Sequence, residues 1–169
     1  PKFSVVDNPE AAPCKPGTIN VIEVSRLSKD AHQWGSPDRD SGKAMLDYIV
    51  CGADMTRQGT LSALTTCPIN KAAMKMAGSQ YPGHTEMLAT LTGAKTCAMM
   101  LAGKRLRVVL VTIHLALKAV AETITAEAID NVIWLTDHAL KTRFGIFEPR
   151  IAVAALNPHA GEEQMFGSE

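Results

Sequence analysis

The stretch Arg150-Ile151-Ala152-Val153-Ala154-Ala155-Leu156 decides the fold reading. After Arg150 it contains only apolar side chains, and it runs directly into the polar loop Asn157-Pro158-His159-Ala160-Gly161-Glu162. A short, uninterrupted apolar run is expected of a strand covered on both faces, which is the habit of parallel sheets. The region before it carries a different period. Ile129, Val132, Ile133, Thr136 and Leu140 recur at i, i+3, i+4 spacing behind Thr125, which predicts an amphipathic helix that buries that stripe. A helix, a buried strand and then a polar loop form the repeating unit of a layered α/β fold with a mostly parallel sheet.

The same alternation extends towards the N-terminus. Thr18 to Val24 alternates apolar and polar residues and reads as a strand. Ser41 is placed to cap a helix with Met45, Tyr48, Ile49 and Gly52 on one face, ending near Gly59. Ala63 to Cys67 reads as a short buried strand stopped by Pro68, and Ile69 to Ala77 as a helix ended by Gly78. His84 to Leu91 reads as a short helix closed by Gly93. Thr96 to Leu101 and Leu106 to Ile113 are apolar runs whose join, Ala102-Gly103-Lys104, suits a hairpin. Residues 1–17, with Pro1, Pro9, Pro13 and Pro16, read as loop or linker, leaving 18–169 as one partial α/β domain.

Composition narrows the function classes. The chain has 169 residues, 46% of them hydrophobic, which is enough for a core. Its 17 basic and 17 acidic side chains cancel, and no long basic run occurs. Nucleic acid and membrane surfaces are therefore not expected partners. Lys104-Arg105-Leu106-Arg107 reads as the solvated start of a strand. Cys14, Cys51, Cys67 and Cys97 form no CxxC pair and are expected as thiols in a reducing, cytoplasmic compartment. Leu106 to Leu117 is too short to span a bilayer, and Arg107 and His114 interrupt it.

Three histidines stand where elements begin or end. His114 and His159 each follow an apolar run, and open α/β sheets gather ligands beyond the carboxyl ends of their strands. Two neutral imidazoles there could share a divalent metal, or they could be unrelated histidines at strand ends. His84 and Thr85 open a helix behind Gly83, where free N–H groups suit a phosphate or carboxylate, although an ordinary helix start reads the same way. Lys71 could hold an anion or move a proton, or could be a surface lysine on a first helical turn. His32 falls in a polar loop and His138 on the exposed face of a helix. No GxGxxG, P-loop or GxSxG pattern is present.

Taken in order, several segments resemble the 4-hydroxythreonine-4-phosphate dehydrogenase family of pyridoxal phosphate biosynthesis. They are Thr66-Cys67-Pro68-Ile69-Asn70-Lys71, Tyr81-Pro82-Gly83-His84-Thr85-Glu86, Met99-Met100-Leu101, Leu106-Arg107-Val108, Thr112-Ile113-His114-Leu115, Phe144-Gly145-Ile146 and Pro149 through Glu162. The resemblance covers roughly residues 18–169. It implies a fold like that of the isocitrate and isopropylmalate dehydrogenases, which bind NAD without a Rossmann fingerprint. It implies that His84 and Thr85 bind substrate and that His114 and His159 are metal ligands. The implied cofactors are NAD and a divalent metal, one of zinc, magnesium, cobalt or manganese. The implied reaction oxidises the C3 hydroxyl of 4-phosphooxy-L-threonine, and the β-keto acid then decarboxylates. A metal on the hydroxyl and carboxylate would lower the hydroxyl pKa and stabilise the enolate left by that loss. Lys71 is the candidate base.

The family's members are homodimers with active sites at the subunit interface, and they extend further at both ends. The resemblance thus implies an internal fragment, inactive alone, that lacks a further metal-binding histidine and the basic residues that hold the substrate phosphate. Glu163-Gln164 stands where a glycine-rich continuation is usual. A sister dehydrogenase acting on 4-phospho-threonate, a phosphoerythronate or a dihydrodiol is the alternative activity. A non-catalytic dimerisation or metal-binding module is the alternative of another class, and a metal-dependent hydrolase ranks below both.

Overall fold

The computed structural model of the chain describes residues 1–28 and 33–167, so His32 lies outside the described residues. Two compact units divide it, Pro1–Lys95 and Thr96–Glu169.

In the first unit β1 (Lys2–Val5) pairs in parallel with β2 (Thr18–Val21), in the register Lys2 to Thr18 and Val5 to Val21. Residues 1–17 are therefore not all loop, which corrects the sequence reading. Lys2-Phe3-Ser4-Val5 does alternate polar and apolar, but over only four residues among prolines. β2 begins where predicted.

α1 (Arg39–Arg57) starts earlier than expected because Asp38, not Ser41, is its cap. Asp38 Oδ1 accepts the Ser41 N–H at 2.7 Å, and Ser41 Oγ accepts the Asp38 N–H at 3.1 Å. Ser41 is thus the third-residue half of a reciprocal box that satisfies two otherwise free donors. α2 (Lys71–Met76) crosses α1 with almost no gap: a β-carbon placed on Gly42 would fall 2.0 Å from the Ala73 carbonyl oxygen. Ile49, Met74 and Met87 form the buried centre, with Leu46, Ile69, Tyr81, Leu88 and Leu91 packed around it. Burying Met74, which is 1% exposed, contributes roughly 1.5–3 kcal/mol. α3 (His84–Thr92) ends at Gly93, whose φ of 67° is the left-handed turn that glycine adopts freely. Ala63–Cys67 forms no strand; Leu64 is half-buried and the residues around it are exposed.

In the second unit β3 (Met99–Ala102) and β4 (Arg107–Leu110) make the predicted antiparallel hairpin, with Met99 opposite Leu110 and Ala102 opposite Arg107. A short helix, α4 (Val120–Thr123), precedes α5 (Ala126–Phe144). Thr125 caps α5 as predicted, accepting the Ala128 N–H at 3.1 Å. Glu127 in its first turn and Lys141 and Arg143 in its last complement the helix dipole. The Arg107 guanidinium lies 4.7 Å from the centre of the Phe144 ring.

The run that decided the fold reading departs from it in one respect. Residues 150–156 form no strand, and every side chain among them is exposed. An apolar run encodes a demand for burial, whereas a strand also needs a neighbour with which to exchange hydrogen bonds. The class remains α/β, but among the described residues one strand pair is parallel and one antiparallel, in place of a mostly parallel sheet. Among the described residues no helix is long and apolar enough to cross a membrane, and all four cysteines are free thiols.

Candidate functional site

Each unit holds part of the predicted chemistry. In the first unit, Asn70 fixes the start of α2. Its side chain accepts the Ala73 N–H at 2.9 Å, and its own N–H points at Met45 Sδ, 3.4 Å away. That cap makes Lys71 the first residue of the helix. From there the lysine side chain reaches Gly83, at the start of α3. A β-carbon on Gly83 would sit 3.8 Å from Lys71 Cε, 3.9 Å from its Nζ, and 3.5 Å from Glu86 Oε2.

Among the described residues no side chain caps α3, so its first N–H groups are left for another acceptor. An anion there gains about 0.3–1 kcal/mol from the helix dipole, and a neighbouring ammonium adds to that attraction. His84 Nε2 is buried and has no hydrogen-bond partner among the described residues. Leaving such an atom unpaired costs roughly 1–3 kcal/mol, a cost that a polar ligand would remove. The structure therefore brings Lys71, His84 and Thr85 into one neighbourhood at the start of α3. The helix cap Asn70 and the carboxylate Glu86 border it, and the sequence reading gave neither a site role. Their signals were an Asn directly ahead of a helix and an acid in the first turn of α3.

In the second unit His114 and His159 share an uncommon backbone state. Among the described residues only six non-glycine positions have positive φ, and these two, at 56° and 53°, are among them. Residues 159–164 are left-handed throughout. Each such non-glycine residue costs on the order of 1 kcal/mol, so the loop must be held in place. Phe166 N–H donates to Gly161 O at 3.1 Å, Met165 N–H to Glu162 O at 3.0 Å, and Asn157 Nδ2 to Phe166 O at 3.4 Å. A β-carbon on Gly161 would lie 2.7 Å from Gly167 O, so the loop closes tightly on itself. His159 remains exposed, 3.9 Å from Glu162 Oε2 and with its ring centre 6.5 Å from that of Phe166. His114 is exposed as well.

Imidazole is the right kind of donor for zinc or cobalt, but a bound ion needs at least three protein ligands or their equivalent. Among the described residues no three His, Cys, Asp or Glu side chains gather closely enough to hold a metal. His138 stacks on Trp134 on the outer side of α5, with ring centres 5.3 Å apart.

Comparison with known proteins gives one consistent result. The family model described as pyridoxal phosphate biosynthetic protein PdxA matches residues 2–169. The 4-hydroxythreonine-4-phosphate dehydrogenase of Desulfosudis oleivorans is 50% identical over 169 residues, which is all of this chain and 50% of that protein. The D-threonate 4-phosphate dehydrogenase of Salmonella typhimurium is 39% identical over 154 residues, covering 91% of this chain and 47% of that protein. The solved structure of 4-hydroxythreonine-4-phosphate dehydrogenase from Klebsiella pneumoniae superposes with a TM-score of 0.89 at 38% identity, over 98% of this chain and 50% of that one. The chain spans about half the length of the relatives it matches.

Proposed function

The chain belongs to the PdxA family of pyridoxal phosphate biosynthetic proteins, and on that premise we propose that the full-length protein is a 4-hydroxythreonine-4-phosphate dehydrogenase. It oxidises the C3 hydroxyl of 4-phosphooxy-L-threonine, and the β-keto acid then loses carbon dioxide. The observation that carries this reading is the meeting of Lys71 with the uncapped start of α3, beside the buried and unpaired His84 Nε2. That arrangement suits an anionic, hydroxylated substrate.

The roles follow from the groups available. The free N–H groups of α3 and the Thr85 hydroxyl orient the substrate's oxygens, and His84 Nε2 pairs with one of them. Lys71 holds negative charge at that point, or takes the C3 hydroxyl proton as a base once its amine is neutral. His114 and His159 are proposed as metal ligands. They fit in donor chemistry and fall short in number, so the remaining ligands come from outside the described residues. NAD would supply a hydride acceptor for C3, and a divalent ion held in part by His114 and His159, one of zinc, magnesium, cobalt or manganese, would supply Lewis-acid polarisation of the C3 oxygen. Residues 18–169 form part of the catalytic domain in this reading. The fold is that of the isocitrate and isopropylmalate dehydrogenases, the protein is a homodimer with its site at the interface, and its free thiols fit a cytoplasmic location.

A sister activity on D-threonate 4-phosphate is the second reading, favoured by relatives of that name at 38–39% identity. The test is NADH formation by the full-length protein with each substrate, with and without a chelator. Chelator-sensitive NADH with 4-phosphooxy-L-threonine is expected. NADH with only the threonate would move the assignment to the sister enzyme. No NADH with either, with phosphate release instead, would overturn the dehydrogenase reading.

A further inference from the structure

Glu86 puts a carboxylate at the start of α3, where the helix itself favours anions. It is the third residue of that helix, and an acid there ordinarily turns back to accept the cap residue's N–H. Among the described residues it makes no such bond, and its half-buried carboxylate has no ion-pair partner. It lies over Gly83 instead. A β-carbon on that buried glycine would be 3.5 Å from Glu86 Oε2 and 3.9 Å from Lys71 Nζ, both ordinary contact distances. The space above Gly83 is therefore open by one atom. A ligand atom placed there touches a carboxylate on one side and an ammonium on the other, and the two charges do not pair with each other directly.

A carboxylate beside a site for a phosphorylated acid repels that acid, unless it faces a positive group on it. 4-Phosphooxy-L-threonine has one such group, the ammonium on C2. Its neighbours along the chain are the C1 carboxylate and the C3 hydroxyl. Whichever of these meets Lys71, the ammonium is carried by the adjoining carbon. We infer that Glu86 is a specificity-determining residue that accepts the C2 ammonium of the substrate, an inference that rests on the dehydrogenase reading. D-threonate 4-phosphate has a hydroxyl in place of that ammonium. It offers Glu86 only a neutral donor, and a charge-assisted hydrogen bond is about twice as strong.

Steady-state kinetics of the full-length protein and its Glu86→Gln variant, with both substrates, test the assignment. Glutamine keeps the length and an acceptor oxygen and removes the charge. With 4-phosphooxy-L-threonine, KM should rise about tenfold or more, as a charged contact is lost. Because the ammonium does not react, kcat should change by less than about threefold. With D-threonate 4-phosphate, KM should also change by less than about threefold. An acid that served only the helix dipole would affect both substrates alike, so equal losses overturn the assignment. Unchanged KM with both, or a loss confined to kcat, overturns it too. Should Glu86→Gln fail to fold, the unaltered protein decides. A kcat/KM at least about tenfold higher for the amine than for the threonate supports the assignment, and a smaller preference overturns it. A full-length protein that forms no NADH from 4-phosphooxy-L-threonine removes the dehydrogenase reading, and the assignment falls with it. A working enzyme whose Glu86→Gln variant does not discriminate overturns the assignment alone.

Discussion

Replacing Gly42 by alanine should destabilise the first unit, although the same change in an isolated helix would strengthen it. In α1 the substitution gains about 1 kcal/mol of helix propensity. Against that, the new β-carbon would lie 2.0 Å from the Ala73 carbonyl oxygen and 2.4 Å from its carbonyl carbon. Ordinary contact begins at 3.4 Å, so the gap must widen by 3.4 − 2.0 = 1.4 Å. Both sides of the contact are helix backbone, and Ala73 is fully buried, so no side chain can swing aside. Overpacking of this kind costs about 1–3 kcal/mol, and a backbone clash belongs at the upper end. The net expectation is a loss of about 2 kcal/mol, or about 4–8 °C in Tm for a chain of this size.

Gly52→Ala is the internal control. Its β-carbon would meet Leu64 Cδ1 at 2.7 Å, the tip of a flexible side chain that can rotate away. That variant should fall within about 0.5 kcal/mol of the parent. Thermal and urea unfolding of the two variants, followed by helix signal, decides the matter. If Gly42→Ala is as stable as the parent, or if both variants lose equally, the backbone-to-backbone crossing of α1 and α2 is wrong. The same displacement would move Lys71, which begins α2, so in the full-length protein Gly42→Ala should also lower kcat/KM. A shift of about 1 Å at a positioned group can cost about 100-fold.

Further expectations concern the caps and the candidate site. Asp38→Ala removes one half of the capping box at α1 and should cost about 1 kcal/mol by urea unfolding. Thr125→Ala should cost a similar amount, on the order of 1 kcal/mol, at α5. In the full-length protein His84→Ala should raise KM for the phosphorylated substrate, and an unchanged KM would remove His84 from the binding site. His114→Ala and His159→Ala should each lower bound metal, measured by elemental analysis of the dialysed protein, and full retention would exclude them as ligands. Glu23→Gln should leave Tm unchanged. The hydrogen bond and charge of Glu23 hold the Arg26 guanidinium above its ordinary pKa, but that pair is fully solvent-exposed. A raised basic pKa adds stability that fades only as pH climbs through it, which here lies beyond any physiological range, so Tm should not depend on pH through this pair.

Local signals were legible in the sequence where they act locally. α5 was readable from its stripe and from Thr125, because a cap and a 3.6-residue period act within one helix. α3 was readable from Gly83 and Gly93, and the hairpin from Ala102-Gly103-Lys104, for the same reason. His114 and His159 stand out as candidates because they follow apolar runs, and His84, Thr85 and Lys71 because they open helices, where free N–H groups and polar side chains gather. The cap of α1 was misplaced by three residues, since Asp38 and Ser41 are both good acceptors and only geometry ranks them.

What depends on distant partners was not legible. β1 is a strand because β2 lies beside it, and Lys2-Phe3-Ser4-Val5 alone carries too little pattern to say so. Residues 150–156 have all the pattern of a strand, but among the described residues no neighbour pairs with them. Tertiary structure alone decided that Lys71 lies against Gly83 and that His84 Nε2 is buried without a partner. Sequence determines which residues want burial, a cap or a turn, because those preferences belong to the residue and its near neighbours. Which groups meet depends on contacts between residues far apart in the chain, and those are fixed only once the core has closed.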